Sequence, residues 1–275
     1  MLARSAQGPS AASGSPPLTS DLTARPGLAH ALAEVAAAAG AAIMAVHDRR
    51  GARAKADGSP LTEADLAAHR AILAGLVRAC PGIPVISEED ADHRAAPAGG
   101  RFLLVDPLDG TREFLSGSGE FTVNIALIEG GVAVAGVVLA PALGRAWSGA
   151  VGAGAWVREG AALPRPIRAR RPPAGGLVAV ASRSHRDPAT DAFLGGLAVA
   201  GLRSVGSSLK FCLLAEGEAD VYPRFGPTME WDTAAGQAVL EAAGGRVATP
   251  EGAPLSYGKP GWRNGPFIGW GAPPG

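Results

Sequence analysis

The sequence predicts a mixed α+β protein whose helices and strands stack in layers. Two helix-forming segments come first, and short apolar runs bounded by turn residues follow them. In the C-terminal part of the chain, strand and helix patterns alternate. Helices and sheets with apolar faces bury those faces by packing in layers around a shared core.

The N-terminal part predicts two helices joined by a polar loop. Leu28–His47 has helical spacing and a high alanine content, which favours a helix. Arg49–Pro60 is polar and contains glycine, so a loop is expected there. The second helix is predicted over Asp65–Ala79, with Thr62 as its N-cap, because a threonine hydroxyl accepts a hydrogen bond from a free backbone N–H.

The middle of the chain predicts strands. Ile83–Ser87 and Phe102–Val105 are short apolar runs that both end in acidic residues. Phe121–Ile128 and Val132–Leu139 are joined by Glu129-Gly130-Gly131, which predicts a hairpin. A further pair of strands is expected at Ala146–Ser148 and Ala155–Val157.

The C-terminal part predicts alternating strands and helices. The Pro- and Arg-rich stretch Leu163–Gly176 is taken as the boundary between two lobes, 25–165 and 166–275, after a disordered tail at 1–24. Strands are predicted at Leu177–Ala181, Leu202–Val205 and Ala219–Tyr222, and helices from Asp187, over Ser207–Glu216, and from an Asp232 N-cap to Ala243.

Composition excludes several classes of protein. The 25 Lys+Arg balance 25 Asp+Glu and only three residues are lysine, which argues against a partner that is a nucleic-acid polymer. The two cysteines cannot form a disulfide framework or a structural zinc site, so a reducing cytoplasm is expected. The N-terminal residues lack the apolar segment of a secretory signal, and no long apolar run is uninterrupted.

Acidic residues follow two neighbouring predicted strands. Glu88, Glu89 and Asp90 follow the first, and Asp106 and Asp109 follow the second. Neighbouring strands lie about 5 Å apart, and carboxylates brought that close share protons or bind a cation. Oxygen ligands without nearby His or Cys favour Mg²⁺ over Zn²⁺. The alternative is that these acids are solvated loop residues, and it is stronger for Glu89 and Asp90.

The hexapeptide Asp106–Thr111 combines ligands for a cation and for an anion. Its proline turns the chain directly after the first acid, which returns the second acid to the same side. The Leu108 carbonyl is then left out of the strand ladder. Gly110 lets the backbone approach a ligand, and the N–H groups of Gly110 and Thr111 can hold a phosphate. The loop therefore predicts a metal-bridged phosphate.

Three sequence blocks resemble one family. Ser87-Glu88-Glu89, Asp106–Thr111 and Trp231-Asp232-Thr233-Ala234-Ala235-Gly236 are similar to the Mg²⁺-dependent, lithium-sensitive phosphatases related to inositol monophosphatase. The resemblance covers about residues 28–270. It implies a layered αβαβα sandwich.

The resemblance also implies a set of metal ligands for two or three Mg²⁺ ions per site. The first ion would be held by Glu88, Asp106 and the carbonyl of Leu108. The second would be held by Asp106, Asp109 and Asp232.

The resemblance implies further roles in catalysis. Thr111 and Asp65 resemble the hydroxyl–carboxylate pair that orients the attacking water, assisted by Glu88. Taken alone, Asp65 would be an exposed acid in a first helical turn, Thr111 a helix cap, and Asp232 a plain N-cap.

Other blocks narrow the resemblance to the 3'(2'),5'-bisphosphate nucleotidase branch of the CysQ type. They are Thr62–Asp65, Arg112–Phe114, Gly119–Ile128, Ser182–His185, Gly206–Cys212 and Tyr222–Arg224.

This branch implies contacts with a nucleotide. Ser207, Lys210 and Arg224 would meet the 5' side, and His185 would lie near the base or ribose. The alternatives are an N-cap for Ser207, solvated charges for Lys210 and Arg224, and a surface position for His185. The remaining substrate contacts would come from the metal and phosphate loop, that is from Glu88, Leu108, Asp109, Gly110, Thr111 and Asp232.

The resemblance implies hydrolysis of adenosine 3',5'-bisphosphate to AMP and phosphate, a reaction linked to sulfate assimilation. It also implies a cytoplasmic protein with loose attachment to the cytoplasmic face of the inner membrane, and leaves the oligomeric state open. Two other functions are weighed: a phosphatase acting on inositol phosphate or fructose 1,6-bisphosphate, and a noncatalytic nucleotide sensor. A sensor should lack at least one of five residues, all of which are present: Glu88, Asp106, Asp109, Thr111 and Asp232.

Overall fold

A computed structural model describes residues 25–46, 53–54, 60–90, 100–183 and 187–273 of the 275-residue chain. The predicted tail at 1–24 lies outside the described residues, as does His185. Within these ranges the α-helices are α1 (Arg25–Met44), α2 (Glu63–Ala79), α3 (Thr111–Ser116), α4 (Pro188–Gly195), α5 (Leu209–Ala215) and α6 (Glu230–Ala242).

The strands lie between these helices and after α6, singly or in consecutive runs. They are β1 (Arg53–Ala54), β2 (Pro60–Leu61), β3 (Val85–Ser87), β4 (Arg101–Asp109), β5 (Thr122–Glu129), β6 (Val132–Ala140), β7 (Arg145–Ala150), β8 (Gly154–Glu159), β9 (Arg165–Ile167), β10 (Leu177–Ser182), β11 (Val199–Val205), β12 (Val221–Arg224), β13 (Thr228–Met229), β14 (Arg246–Ala248), β15 (Arg263–Asn264) and β16 (Phe267–Trp270).

Two large sheets form the frame. The first has seven strands in the order β3-β4-β5-β6-β7-β8-β9, and only its β3–β4 pair is parallel. The second has five strands in the order β11-β10-β12-β16-β14, with β10 parallel to both of its neighbours. Two short pairs, β1–β2 and β13–β15, lie apart from these sheets.

The helices and sheets alternate in five layers. Helices α1 and α2 cover one face of the first sheet, α5 and α6 fill the space between the two sheets, and α4 lies on the outer face of the second sheet. Each of the three helical layers packs on its sheets through its own cluster of buried apolar side chains. The predicted α+β class and αβαβα layering are thus observed.

Helix α1 packs on the first sheet through an alanine-rich face. Ala29, Leu32, Ala36 and Ala39 are at most 1% exposed. By length and composition alone, its segment Gly27–Met44 would be apolar enough to cross a membrane, but 44% of that segment is buried inside the protein. The apolar character of α1 is explained by its packing in the core.

Helix α6 lies unusually close to its neighbours because three glycines face it or belong to it. A Cβ on Gly136 of β6 would lie 2.9 Å from the backbone of Ala235, and one on Gly149 of β7 would lie 2.9 Å from Cα of Val239. Gly236 within α6 presents its open side to the ring of Phe211 on α5. Side chains at these positions would push α6 away from the sheet and from α5.

A buried carboxylate joins the central layer to the first sheet. Glu216, at the end of α5, accepts hydrogen bonds from Arg145, Trp147 and Arg165 at 2.6 to 2.9 Å. Its side chain is 4% exposed, so this acid depends on its partners to remain buried.

Most predicted elements are confirmed, although β4 extends to Asp109 instead of ending at Val105, and two helices begin elsewhere than predicted. The hairpin across Glu129-Gly130-Gly131 pairs β5 with β6. Asp232 is not the N-cap of α6: Met229 holds that position and Asp232 is the third helical residue. Ser207 does not begin α5, which starts at Leu209 with Ser208 as its N-cap.

Two other predictions fall on segments that the structure only partly tests. Within the predicted loop Arg49–Pro60, Arg53–Ala54 pair with Pro60–Leu61 as a short antiparallel ladder. The division into lobes near residue 165 stays a prediction, and β9 (Arg165–Ile167) lies on the edge of the first sheet.

Replacing Gly236 by alanine should destabilise the protein. The new Cβ would lie 2.3 Å from Cδ2 of Phe211, and overpacking of this kind costs about 1–3 kcal/mol in the free energy of unfolding. Chemical denaturation would measure the loss. Gly195→Ala is the matched control, because a Cβ at that end of α4 meets nothing within 4 Å. Equal stability of the two variants would contradict the close packing of α5 on α6.

Candidate active site

A bulge in β4 places two acids on the same face of the first sheet. Asp106 pairs with Asn124, and Asp109 pairs with Thr122, so three steps along β4 match two steps along β5. Side chains two residues apart in a strand share a face, and the extra residue in β4 therefore returns Asp109 to the side of Asp106. The Leu108 N–H donates to Oδ1 of Asp106 at 3.0 Å, which closes the turn.

Glu88 joins these acids because β3 runs parallel to β4. Ser87 pairs with Val105, and the Glu88 N–H continues the ladder by donating to the Val105 carbonyl at 3.1 Å. The ends of two parallel strands meet at one edge of the sheet, so Glu88 lies beside Asp106.

Asp232 on α6, in the helical layer between the two sheets, is the third acid of the cluster. Its Oδ2 accepts the N–H of Met229 at 2.7 Å, a bond that fixes the carboxylate in the first turn of α6. One oxygen from each of Glu88, Asp106 and Asp232 lies within 4.8 Å of the others. Three acids from separate parts of the chain therefore converge.

Burial makes two of the acids hard to ionise. The pKa of Asp109 is raised by burial, although the charge of Lys210 and hydrogen bonds from Ser208 oppose the shift. Burial raises the pKa of Asp232 well above its usual range, and the neighbouring charge of Asp109 raises it further. The Arg224 charge offsets only part of this effect.

The donor set fits a divalent cation. All of the converging atoms are carboxylate oxygens, which are ligands that Mg²⁺ prefers. Buried like charges repel unless they are neutralised, and a cation among Glu88, Asp106, Asp109 and Asp232 would supply that neutralisation. The structure thus supports divalent-metal dependence in general.

A hydroxyl–carboxylate pair lies next to the acids. The hydroxyl of Thr111 is 3.4 Å from Oδ1 of Asp65 and 3.4 Å from the Leu108 carbonyl. The other oxygen of Asp65 accepts both the N–H and the hydroxyl of Thr62, at 2.7 and 2.5 Å. Thr62 and Asp65 form a capping box at the start of α2. The anchored carboxylate therefore presents one oxygen to Thr111, and it is 1% exposed rather than a surface acid.

Gly110 is required by both its conformation and its surroundings. Its φ is 90°, in the left-handed region, and a Cβ there would lie 2.3 Å from the hydroxyl of Ser207. This conformation turns the chain into α3, whose first N–H groups, including that of Thr111, have no intrahelical acceptor because the helix begins there.

Ser207, which precedes α5, is hydrogen-bonded to the loop Asp109–Thr111. Its hydroxyl lies 2.9 Å from the Asp109 carbonyl and 2.7 Å from the Glu120 carbonyl, and its single proton can be donated to either. Ser207 has φ 49°, a left-handed conformation that is costly for a residue other than glycine. Lys210 donates to the Ser207 carbonyl and stabilises this conformation.

Two cations line the same cleft. Lys210 and Arg224 face a cleft of about 250 Å³ together with Asp109, Thr111 and Asp232. Burial lowers the pKa of Lys210 to about 8, and its amine lies 5.2 Å from the ring of Tyr222. Arg224 ends β12 and donates to the carbonyls of Gly226 and Pro227, both at 3.1 Å. Neither of these cations is a solvated surface charge.

Three residues that sequence reasoning missed hold Asp109 in place. Oδ2 of Asp109 lies 3.1 Å from the hydroxyl of Ser208, 3.4 Å from that of Thr122 and 3.5 Å from Nδ2 of Asn124. Thr122 and Asn124 lie two residues apart on β5, so their side chains share one face of the sheet. This spacing is the sequence signal that could have identified them. Nothing local indicated Ser208, which is 99 residues from Asp109.

Comparison with known proteins agrees with this geometry. The profile of the inositol monophosphatase family matches residues 25–266. A 3'(2'),5'-bisphosphate nucleotidase CysQ from Escherichia coli O157:H7 is 49% identical over 231 residues, which are 82% of this chain and 91% of that protein. A protein of the same name from Salmonella typhimurium is also 49% identical, with the same coverage.

Solved structures agree as well. A crystal structure of CysQ from Bacteroides thetaiotaomicron, a bacterial member of the inositol monophosphatase family, has a TM-score of 0.79 and 38% identity, covering 91% of this chain and 99% of that one. An inositol monophosphatase from Anabaena has a TM-score of 0.72 and 26% identity, covering 90% and 91%. The predicted fold is therefore confirmed.

Asp232→Asn should stabilise the metal-free protein, and the gain should grow with pH. An acid whose pKa is raised on folding loses stability as pH rises from its unfolded value, near 4, through its folded value. The asparagine does not ionise, and its oxygen still accepts the Met229 N–H. Thermal unfolding in a chelator at about pH 4 and about pH 8 measures the difference from wild type.

Asp191→Asn, on the exposed side of α4, serves as the control for this experiment. It should show no such growth with pH. An Asp232→Asn gain that is equal at both pH values would contradict the described electrostatics.

Proposed function

The chain belongs to the inositol monophosphatase family, and from this premise we propose that it hydrolyses the 3'-phosphate of adenosine 3',5'-bisphosphate to AMP and phosphate. The observation that carries the proposal is the convergence of Glu88, Asp106 and Asp232 beside the Asp109–Thr111 loop, in a chain that is 49% identical to named bisphosphate nucleotidases. The enzyme is a phosphoric monoester hydrolase, a 3'(2'),5'-bisphosphate nucleotidase.

The acids would hold Mg²⁺ in two overlapping sets. Glu88, Asp106 and the Leu108 carbonyl form the first set, and Asp106, Asp109 and Asp232 form the second. When bound, Mg²⁺ lowers the pKa of water and neutralises charge on the leaving oxygen and on the phosphate. A third ion per site remains an expectation from the family.

Asp65 and Thr111 supply the proton path for the attacking water. The Thr111 hydroxyl can accept a hydrogen bond from water while it donates its own proton towards Oδ1 of Asp65, 3.4 Å away. Because Thr62 anchors the other oxygen of Asp65, this carboxylate is held in one orientation. Glu88 assists in positioning the water, as the family resemblance implies.

The transferred phosphoryl group would rest on backbone N–H groups. Those of Gly110 and Thr111 stand at the start of α3, where the left-handed conformation of Gly110 turns the chain into the helix. Donors fixed before the reaction stabilise the charge on the phosphoryl oxygens without reorganisation.

The second phosphate of the nucleotide would meet the basic wall of the cleft. Lys210 and Arg224 line the cleft and supply positive charge, and both side chains are buried. A phosphate dianion near Lys210 would favour its charged form. Ser207 belongs to the same wall and holds the backbone between the cations and the Asp109 loop. His185 is proposed to lie near the base or ribose on resemblance alone.

The remaining proposals concern the cell. A cytoplasmic location fits two buried, reduced cysteines, Cys80 and Cys212. The reaction would remove a by-product of sulfate assimilation. Loose attachment to the inner membrane is an expectation from resemblance alone, and the oligomeric state is open.

A substrate comparison tests the reaction. With Mg²⁺, phosphate release should be faster from adenosine 3',5'-bisphosphate than from inositol 1-phosphate, and Li⁺ should suppress it. Faster release from the inositol ester would keep the metal site but overturn the nucleotide assignment. No release from either compound would favour a noncatalytic sensor.

Asp106→Asn should lower kcat by at least about 100-fold, because Asp106 belongs to both ligand sets. Loss of an outer partner of a metal ligand already costs about 10–100-fold in activity or affinity. Turnover is measured at saturating Mg²⁺, and Asp191→Asn should retain wild-type turnover. Near-wild-type activity of Asp106→Asn would refute the assignment of the ligands.

A further inference from the structure

Ser208 occupies a position between the two ligand-bearing layers of the site. Its hydroxyl lies 3.1 Å from Oδ2 of Asp109, on the first sheet, and 2.8 Å from the backbone carbonyl of Asp232, on α6. Ser208 is 2% exposed, so water does not compete for these bonds. One hydroxyl therefore connects the two acids of the second proposed ligand set.

Asn124 fixes the direction of the Ser208 proton. Nδ2 of Asn124 donates to the Ser208 oxygen at 2.9 Å. The hydroxyl oxygen thus acts as an acceptor towards Asn124, and its single proton is left for Asp109 or for the Asp232 carbonyl. Every donor in this group is directed at an acceptor on a ligand-bearing residue or on Ser208 itself.

The position of Asn124 carries a cost that a purely structural role would not explain. Asn124 is fully buried, and its Oδ1 has no hydrogen-bond partner within the part of the chain that the structure describes. A buried acceptor without a hydrogen-bond partner destabilises the fold. Turning the amide over would let Oδ1 accept the Ser208 proton, but it would also place Oδ1 against the carboxylate of Asp109 and remove the donor that Nδ2 now directs at that acid. The observed orientation directs the Asn124 Nδ2 group at the carboxylate of Asp109.

From these contacts we infer that Ser208, held by Asn124, is a positioning residue that sets the separation and orientation of Asp109 and Asp232 for a divalent cation. The inference rests on the proposed function for the identity of the ligand sets. It adds two residues, outside those sets, that determine how tightly the cation binds. Loss of outer partners of metal ligands lowers metal affinity about 10–100-fold.

The test measures cation binding without substrate. Mn²⁺, used as a spectroscopic probe for Mg²⁺, is titrated into wild type, Ser208→Ala, Asn124→Ala and the double variant, and free Mn²⁺ is followed by electron paramagnetic resonance. Ser208→Ala should weaken Mn²⁺ binding about 10-fold or more. The effects of the two single variants should not add in the double variant, because the two side chains act as one unit.

A kinetic readout separates positioning from catalysis. For Ser208→Ala, the Mg²⁺ concentration at half-maximal rate should rise about 10-fold, while kcat at saturating Mg²⁺ recovers to near the wild-type value. Ser148→Ala is the control, since Ser148 shares the face of β7 that Ala146 and Ala150 pack against the α1 layer. It should bind Mn²⁺ as wild type does.

The outcomes are distinguishable. Unchanged Mn²⁺ affinity in Ser208→Ala would overturn the inference even if the wild-type enzyme hydrolyses the nucleotide. A wild-type protein that binds Mn²⁺ but releases no phosphate would refute the proposed function and leave the inference standing. If Ser208→Ala does not fold, the Mn²⁺ affinity of Asn124→Ala is the test. If neither variant folds, the two side chains are needed for the stability of the core, and the inference is wrong.

Discussion

The close approach of α6 to the first sheet is the constraint on which the site depends. Three acids come from the edge of that sheet, and the fourth, Asp232, comes from α6. The helix reaches them because Gly136 and Gly149 leave its backbone in contact with β6 and β7, where a Cβ would lie 2.9 Å away. Gly236 likewise allows α5 to pack closely on α6. This packing brings Ser208, at the start of α5, within hydrogen-bond distance of Asp232.

This packing buries negative charge, and the surrounding residues moderate the cost. Burial raises the pKa values of Asp109 and Asp232, and Lys210 and Arg224 oppose the shift only in part. Hydrogen bonds cannot neutralise the acids, but they fix the direction of each carboxylate. The site is therefore organised before a cation binds, and it is most stable when one is present.

Orientation at the site comes from residues that are distant in sequence. Thr111 meets Asp65 across 46 residues, and Ser208 meets Asp109 across 99 residues. Each of these contacts joins a loop to an element in another layer. Helix α2 and the start of α5 thus act as supports for the loop that carries most of the predicted chemistry, and the layered architecture keeps those supports at fixed distances.

The sequence by itself determined the features that rest on local geometry. The bulge after Asp106, the Thr62 cap and the glycine turn of the β5–β6 hairpin follow from hydrogen bonds and backbone conformations within a few residues. Family motifs indicated the acids that would converge. Local signals were misleading at Asp232 and Ser207, because a cap and a third helical residue share the same preferences, and a left-handed serine has no sequence signature. Only the tertiary structure showed the Ser208 and Asn124 contacts with Asp109, because they depend on the distance between packed layers.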